Sequence, residues 1–341
     1  MFWDTFYSVL FLLTGIGVFL VGIEKFGTIL QSGASDSMRE LFKRMGDNRW
    51  VGFGIGTAVT TVIQSSTATT VIVVSLVNAG IMTLCQSTAV IFGANVGTAI
   101  SNILIAMSTF RIKYFFMALV FVGTVIKLVS SKRKLHKVAD VLIAFGVIFV
   151  GLELMSSAFS SDSPLTARFE RLFATVSFPP LLILLGFVLV AIINSSTAAT
   201  AIFITLAAHG MLEFASMMYL TIGAMLGTTL TTIIASLAAN WNARRAAMMH
   251  LLFNVLGTLM FLPMIWALEL HVTALFEWLI PGSLVWQMTV FSLLFRFLTA
   301  VILLPFTESL TTLTRRIVKD KVTAEPIAAP PTDCKGFSNE F

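Results

Sequence analysis

The chain has 341 residues, 57% of them hydrophobic and only 11% charged, with a mean hydropathy of +0.93. A soluble domain averages about 45–50% apolar and about 25% charged residues, so a secreted disulfide scaffold, a disordered protein and an ordinary cytosolic enzyme are all excluded, and the chain belongs in a bilayer. Its net charge of +5 falls between apolar runs, which reads as membrane orientation rather than nucleic-acid binding.

A helix crossing the bilayer needs about 20 apolar residues. The first such run lies near 8–30, and Met1-Phe2-Trp3-Asp4 carries no basic n-region, so it reads as an uncleaved span and not a signal peptide. The next apolar stretch, 51–79, is interrupted by Gln64-Ser65-Ser66-Thr67. Halves of about 13–16 residues are too short to cross at about 1.5 Å per residue. The expectation is a re-entrant helical hairpin that turns at the polar run and leaves on its side of entry; the alternative is one tilted span carrying serines. Spans near 86–107, 112–129 and 139–159 follow. A second interrupted stretch, 178–208, turns at Asn194-Ser195-Ser196-Thr197. Spans near 214–238, 246–268 and 286–313 complete seven full crossings, and the tail 321–341, rich in Ala, Pro and Thr, reads as disordered.

Basic residues test this arrangement. Arg39, Lys43, Arg44 and Arg49, then Lys132–Lys137, Arg244 and Arg245, and Arg315, Arg316 and Lys319 all face one compartment if both hairpins return to their side of entry. The positive-inside rule makes that side the cytoplasm, so the expected protein is a multi-pass protein of the cell inner (plasma) membrane with its N-terminus outside and its C-terminus inside.

Internal repetition is the most informative feature. Gly17–Glu24 matches Gly146–Glu153 at an offset of 129, while Gln64–Thr70 matches Asn194–Thr200 and Gly93–Thr98 matches Gly223–Thr228 at an offset of 130. Three full spans and one hairpin separate a block from its copy, and an odd number of crossings inverts the copy. The expected fold is therefore all-α and integral to the membrane: two inverted-topology repeats, 8–130 and 139–268, each with a re-entrant hairpin, plus a C-terminal transmembrane helix. Inverted repeats with broken helices near the midplane are transporter architecture, and the breaks mark the binding site.

At each tip the residues after Gln64 or Asn194 open a helix, whose first N–H groups lack partners and carry partial positive charge. Ser and Thr there are good caps, which is the simpler reading. Two tips together offer a concave set of donors suited to an oxyanion, so Gln64, Ser65, Ser66, Asn194, Ser195, Ser196 and, in the next helix, Asn95 are candidate anion ligands. Freed carbonyls and the hydroxyls of Thr67, Thr98, Thr197, Thr228 and Thr229 are hard oxygen ligands for sodium. Gly93–Thr98 and Gly223–Thr228 also read as small-residue packing seams. Glu24 and Glu153 are intramembrane carboxylates at matching positions near helix ends, and so are possible functional groups or interfacial anchors. His209 and His250 read as satisfied polar contacts. No nucleophile elbow, zinc-spaced His cluster or P-loop is present, so an enzyme is not expected.

These residues resemble the type II sodium/phosphate cotransporters, bacterial branch, without the PhoU-like domain many relatives carry. The resemblance covers about residues 8–315 and rests on Gln64-Ser65-Ser66, its variant Asn194-Ser195-Ser196, Gly93–Thr98 and Arg245–Asn254. It implies inward symport of inorganic phosphate with sodium by alternating access, both tips contributing to the site. Asn for Gln at 194 shortens one amide and leaves its ligand open. The alternatives are a channel, or a sodium-coupled carrier of another oxyanion such as sulfate or arsenate. Phosphate, sodium and the lipid bilayer are the expected partners. No nucleic acid is expected, and a homodimer is compatible with a sequence that leaves oligomeric state open.

Overall fold

The computed structural model describes residues 2–44, 46, 48–159, 163–176 and 178–319, with backbone alone for 2, 32–44 and 174. The tail expected to be disordered, 321–341, lies outside the described residues. The described chain is helical, without a β-strand: α1 (Phe2–Arg44), α2 (Arg49–Ile63), α3 (Ser66–Asn78), α4 (Leu84–Ala106), α5 (Lys113–Val129), α6 (Arg133–Ser157), α7 (Pro164–Thr175), α8 (Pro179–Ile193), α9 (Ser196–Ala208), α10 (Phe214–Ser236), α11 (Trp241–Ala267), α12 (Glu269–Leu279), α13 (Leu284–Leu303) and α14 (Thr307–Ile317). Phe121 and Leu128 are 73% and 81% exposed, side chains that water would not tolerate on such a scale and acyl chains do.

Among the described residues six segments are long and apolar enough to cross a membrane: Trp3–Gln31, Leu84–Thr109, Arg133–Ser157, Phe214–Ser236, Trp241–Ala267 and Leu284–Ile317. Sequence reading expects seven. The difference is α5, whose 17 residues reach only about 26 Å at about 1.5 Å each, short of a core of about 30 Å. The last span is also subdivided, because Pro305 sits in a 3₁₀ turn, Leu304–Phe306, between α13 and α14.

The element boundaries repeat. Helices α2, α3 and α4 have 15, 13 and 23 residues; α8, α9 and α10 have the same lengths, each starting 130 residues later. Both α3 and α9 end on a left-handed glycine, Gly80 at φ 71° and Gly210 at φ 72°. The following amides bond back to Leu76 O at 2.9 Å and Leu206 O at 3.0 Å, the Schellman closure that frees the chain to reverse.

The chain divides into two compact units that do not follow the repeats. The first comprises Met1–Gly33, Ser101–Ala224 and Leu268–Phe291. Within it α5 and α6 pair along their length, with Phe116, Phe145 and Phe149 stacked at centroid separations of 4.7–5.3 Å. The copies of the first repeated block meet here. A Cβ on Gly151 would stand 2.4 Å from Phe19 N and one on Gly22 2.8 Å from Ile148 N, so small residues let α1 and α6 approach backbone to backbone.

The second unit comprises Ala34–Ile100, Met225–Ala267 and Ser292–Phe341. Here α3 packs along α11, and Arg49, at the start of α2, is buried. Its Nη1 donates to Leu304 O at 3.3 Å and Pro305 O at 2.8 Å, at the 3₁₀ turn between α13 and α14, and its Nη2 lies 3.8 Å from Glu308. Arg49→Ala should cost about 1–3 kcal/mol by removing the buried donor to Pro305 O, since Leu304 O keeps Thr307 as a partner. Thermal unfolding in detergent reads this directly, and a midpoint equal to wild type would refute the role.

Candidate functional site

The only non-glycine residues at positive φ among those described are Gln64 (φ 61°, ψ 19°) and Asn194 (φ 62°, ψ 22°), the residues that break the two apolar stretches. Each closes the preceding helix, its amide donating to Thr60 O or Val190 O at 2.7 Å. The next residue is extended in both copies, Ser65 at φ −148°, ψ 109° and Ser195 at φ −148°, ψ 111°. Its hydroxyl accepts from Ala68 N at 3.1 Å or Ala198 N at 3.2 Å, capping α3 or α9. The left-handed region is costly for side chains other than Asn and Asp, which explains why Asn is a conformationally apt substitute for Gln at position 194. Such strain held at matching points is typical of functional turns.

The chain bends sharply between α2 and α3. Thr60 Oγ1 donates to Thr69 Oγ1 at 2.9 Å, although nine residues of straight helix would hold them about 13 Å apart. Gln64 Nε2 donates to Thr61 O, while Gln64 Oε1 and Thr70 Oγ1 are buried without a hydrogen-bond partner among the described residues. Ser66, Ser196 and Thr197 are buried, Ser65, Ser195 and Thr67 half-buried, and Asn194 exposed within the chain. At each tip, then, a hydroxyl cap, a helix N-terminus and a short run of buried hydroxyls lie together.

Helix α4 lies against α2. A Cβ on Gly93 would stand 2.0 Å from Phe53 O and one on Gly97 2.6 Å from Thr57 O; in the other copy, Gly223 would meet Ile183 O at 2.0 Å. Both seams expected from the sequence therefore pack backbone on backbone. Thr98 donates its hydroxyl to Ala94 O at 3.1 Å, Thr228 to Met225 O at 2.6 Å and Thr229 to Leu226 O at 2.7 Å, which leaves each oxygen's lone pairs as acceptors for a cation.

Asn95 is less free than the sequence suggests. Its Nδ2 donates to Ile91 O at 2.9 Å, and its Oδ1 lies 3.2 Å from His250 Nε2. Because Asn95 Oδ1 can only accept, His250 carries its proton on Nε2, and Nδ1 accepts from Thr232 Oγ1 at 3.1 Å. His250 is thus a satisfied polar contact. Sequence reasoning missed Arg296, fully buried in the middle of α13, whose Nη1 donates to Asn95 O at 3.0 Å. A lone arginine inside the apolar run 286–310 was the signal that could have found it.

The two carboxylates differ. Glu24 is exposed and lies mid-helix, because α1 continues to Arg44, which removes the expected symmetry of two helix-end positions. Glu153 pairs with Lys113 Nζ at 2.6 Å and lines a cavity of about 420 Å³ in the first unit, with Ser156, Thr205 and His209. His209 Nδ1 contacts Thr205 O at 2.8 Å.

A family model described as Na+/Pi-cotransporter matches residues 18–157 and 164–277. YjbB of Salmonella typhimurium, which bears the name of an inorganic phosphate export protein, is 31% identical over 320 residues, covering 92% of this chain and 56% of YjbB. The chain thus spans little more than half the length of that relative. YqeW of Bacillus subtilis, which carries no functional name, is 27% identical over 290 residues, 85% of this chain and 92% of YqeW. The human sodium-dependent phosphate transport protein 2B is 42% identical over 60 residues, 18% of this chain and 9% of that protein. No solved structure matches at the same level of significance.

Proposed function

Since the chain belongs to the Na+/Pi-cotransporter family, a family of transporters and not of enzymes, we propose that it is a secondary carrier moving inorganic phosphate across the inner membrane with sodium, by alternating access. In this reading α5 also crosses, its 17 residues being at the short end of spanning length, so that the two copies are inverted, with the N-terminus outside and the C-terminus cytoplasmic, and each helical pair is a re-entrant hairpin. Gln64, Ser65 and Ser66 supply oxyanion ligands, as do Asn194, Ser195 and Ser196. Thr67, Thr98, Thr197, Thr228 and Thr229 supply sodium ligands. Asn95 serves chiefly as scaffold, its side-chain oxygen being engaged by His250.

One observation carries the reading: the two tips share their backbone dihedrals to within 3°, down to the same left-handed residue and the same extended serine cap. Selection for capping alone would not hold two strained turns in one geometry, 130 residues apart. Sodium supplies countercharge and orders the freed carbonyls, so phosphate affinity rises with sodium through coupling.

Proteoliposomes test this. Uptake of radiolabelled phosphate should be at least tenfold faster with an inward sodium gradient than with choline, and saturable; equal rates in choline reject coupling, and non-saturable flux indicates a channel. The name of YjbB favours a second reading of direction, net efflux. A coupled carrier runs either way under the summed gradients, so vesicles loaded with phosphate and sodium should show the mirror-image efflux. Efflux without matching uptake would establish an exporter.

A further inference from the structure

Among the described residues the buried side chains that carry a fixed charge are Arg49, Arg245 and Arg296, and no carboxylate is buried with them. Arg49 reaches Glu308 and two carbonyls, and Arg245 bonds Asn242 Oδ1 at 3.1 Å and Val318 O at 3.0 Å. Arg296 differs. It is 4% exposed, its one hydrogen bond is from Nη1 to Asn95 O, and its Nε is buried without a partner among the described residues. A guanidinium stays charged, and a charge buried in a membrane protein without a counter-ion is costly enough to mark a functional site by default.

Its surroundings say what the missing partner is. Ser292, Arg296 and Thr299 form a buried polar stripe on α13, and Thr299 packs on Gly257 of α11, so the arginine is held rigidly at helical spacing. The residue it touches, Asn95, is on α4, whose opposite face carries Gly93 and Gly97 against Phe53, Thr57 and Thr60 of α2, and α13 itself meets α2 where Phe297 lies 6.5 Å, centroid to centroid, from Phe53. Gln64, whose buried Oε1 also has no partner, stands one turn beyond Thr60. Within this unit, then, an unpaired donor edge and an unpaired acceptor sit on neighbouring elements. The free Nε edge of a guanidinium is a fork that matches two oxygens of a tetrahedral oxyanion, and Gln64 Oε1 can accept from a protonated oxygen of the same anion.

We propose that Arg296 is the fixed countercharge of the transported oxyanion, binding it through the Nε edge beside the first hairpin and standing unpaired in its absence. This rests on the phosphate-carrier reading above. It also explains how a site otherwise made of neutral amides and hydroxyls holds an anion at membrane depth.

A structural arginine and a ligand-binding one predict opposite stabilities. Removing a buried charge that has no partner leaves the empty protein as stable or more so, whereas removing a structural link weakens it. Purified protein in detergent with saturating sodium is titrated with inorganic phosphate, and thermal unfolding is followed. In Arg296→Gln the phosphate-free midpoint should be equal to or above wild type, and phosphate affinity should fall at least thirtyfold. Arg296→Lys keeps the charge but loses the fork, and should bind at least tenfold more weakly; this variant decides the matter if the glutamine form does not fold. A lowered phosphate-free midpoint with affinity within threefold of wild type, in either variant, would overturn the proposal. If phosphate does not stabilise wild type but sulfate or arsenate does, and Arg296→Gln abolishes that, the countercharge stands and the phosphate reading falls. If none of the three stabilises wild type, both fall.

Discussion

Alanine at Gly93 or Gly223 is expected to cost about 3–5 kcal/mol and to leave little monodisperse protein in detergent. The added Cβ would lie 2.0 Å from Phe53 O in one copy and 2.0 Å from Ile183 O in the other. These are backbone atoms inside helices, so no side chain can swing aside, and α4 must separate from α2, or α10 from α8, by more than an ångström along the whole seam. Overpacking typically costs about 1–3 kcal/mol when side chains can yield, and more where they cannot. Gly54→Ala is the control, since nothing lies within 4 Å of its Cβ position and the helix gains propensity of about 1 kcal/mol. Thermal midpoints for the three variants should therefore split, with Gly54→Ala at or above wild type. If Gly93→Ala and Gly54→Ala unfold together, the seam is not what holds these helices.

That glycine seam shows how far the sequence could be read. Gly93-x-x-x-Gly97 signals close approach without naming the partner, and the partner is supplied by α2, 36 residues earlier, where Thr57 Oγ1 lies 3.1 Å from Gly93 O. The breaks at Gln64 and Asn194 were legible because a polar run inside an apolar stretch is costly in lipid unless the chain turns there, shielded by protein. The 130-residue register carried over into identical helix lengths. Lengths set by local termini were less legible. Helix α1 runs past residue 30 into the basic segment, and the short helices α7 and α12 fill what read as connections. The buried network was least legible. His250 meets Asn95 across 155 positions and Arg296 meets it across 201, and no periodicity encodes pairings that only tertiary packing creates. Asn95 therefore looked free to bind a ligand, although its side-chain oxygen is already engaged.

The hydroxyl at each tip admits two roles, helix cap or anion ligand, and one pair of substitutions separates them. Asp and Asn cap helices about as well as Ser, and Asp interacts slightly better with the macrodipole. Ser65→Asn and Ser65→Asp should both hold Ala68 N and keep α3 intact, and the same applies at Ser195 with Ala198 N. The two variants are nearly the same size and differ by one negative charge. Two like charges about 4 Å apart repel by about 4 kcal/mol at an effective dielectric near 20, so an oxyanion bound at the tip would be expelled by the carboxylate and spared by the amide. Initial phosphate uptake at subsaturating concentration should thus be about 1000-fold slower in Ser65→Asp than in Ser65→Asn, and likewise at 195, with thermal midpoints of each pair within a few degrees. Because the comparison is made within a pair, any cost of replacing serine itself cancels. Equal uptake by the Asp and Asn forms at both positions would reduce the tips to caps and move the anion elsewhere, whereas a charge effect at one tip alone would confine the anion to that tip and leave the other to sodium.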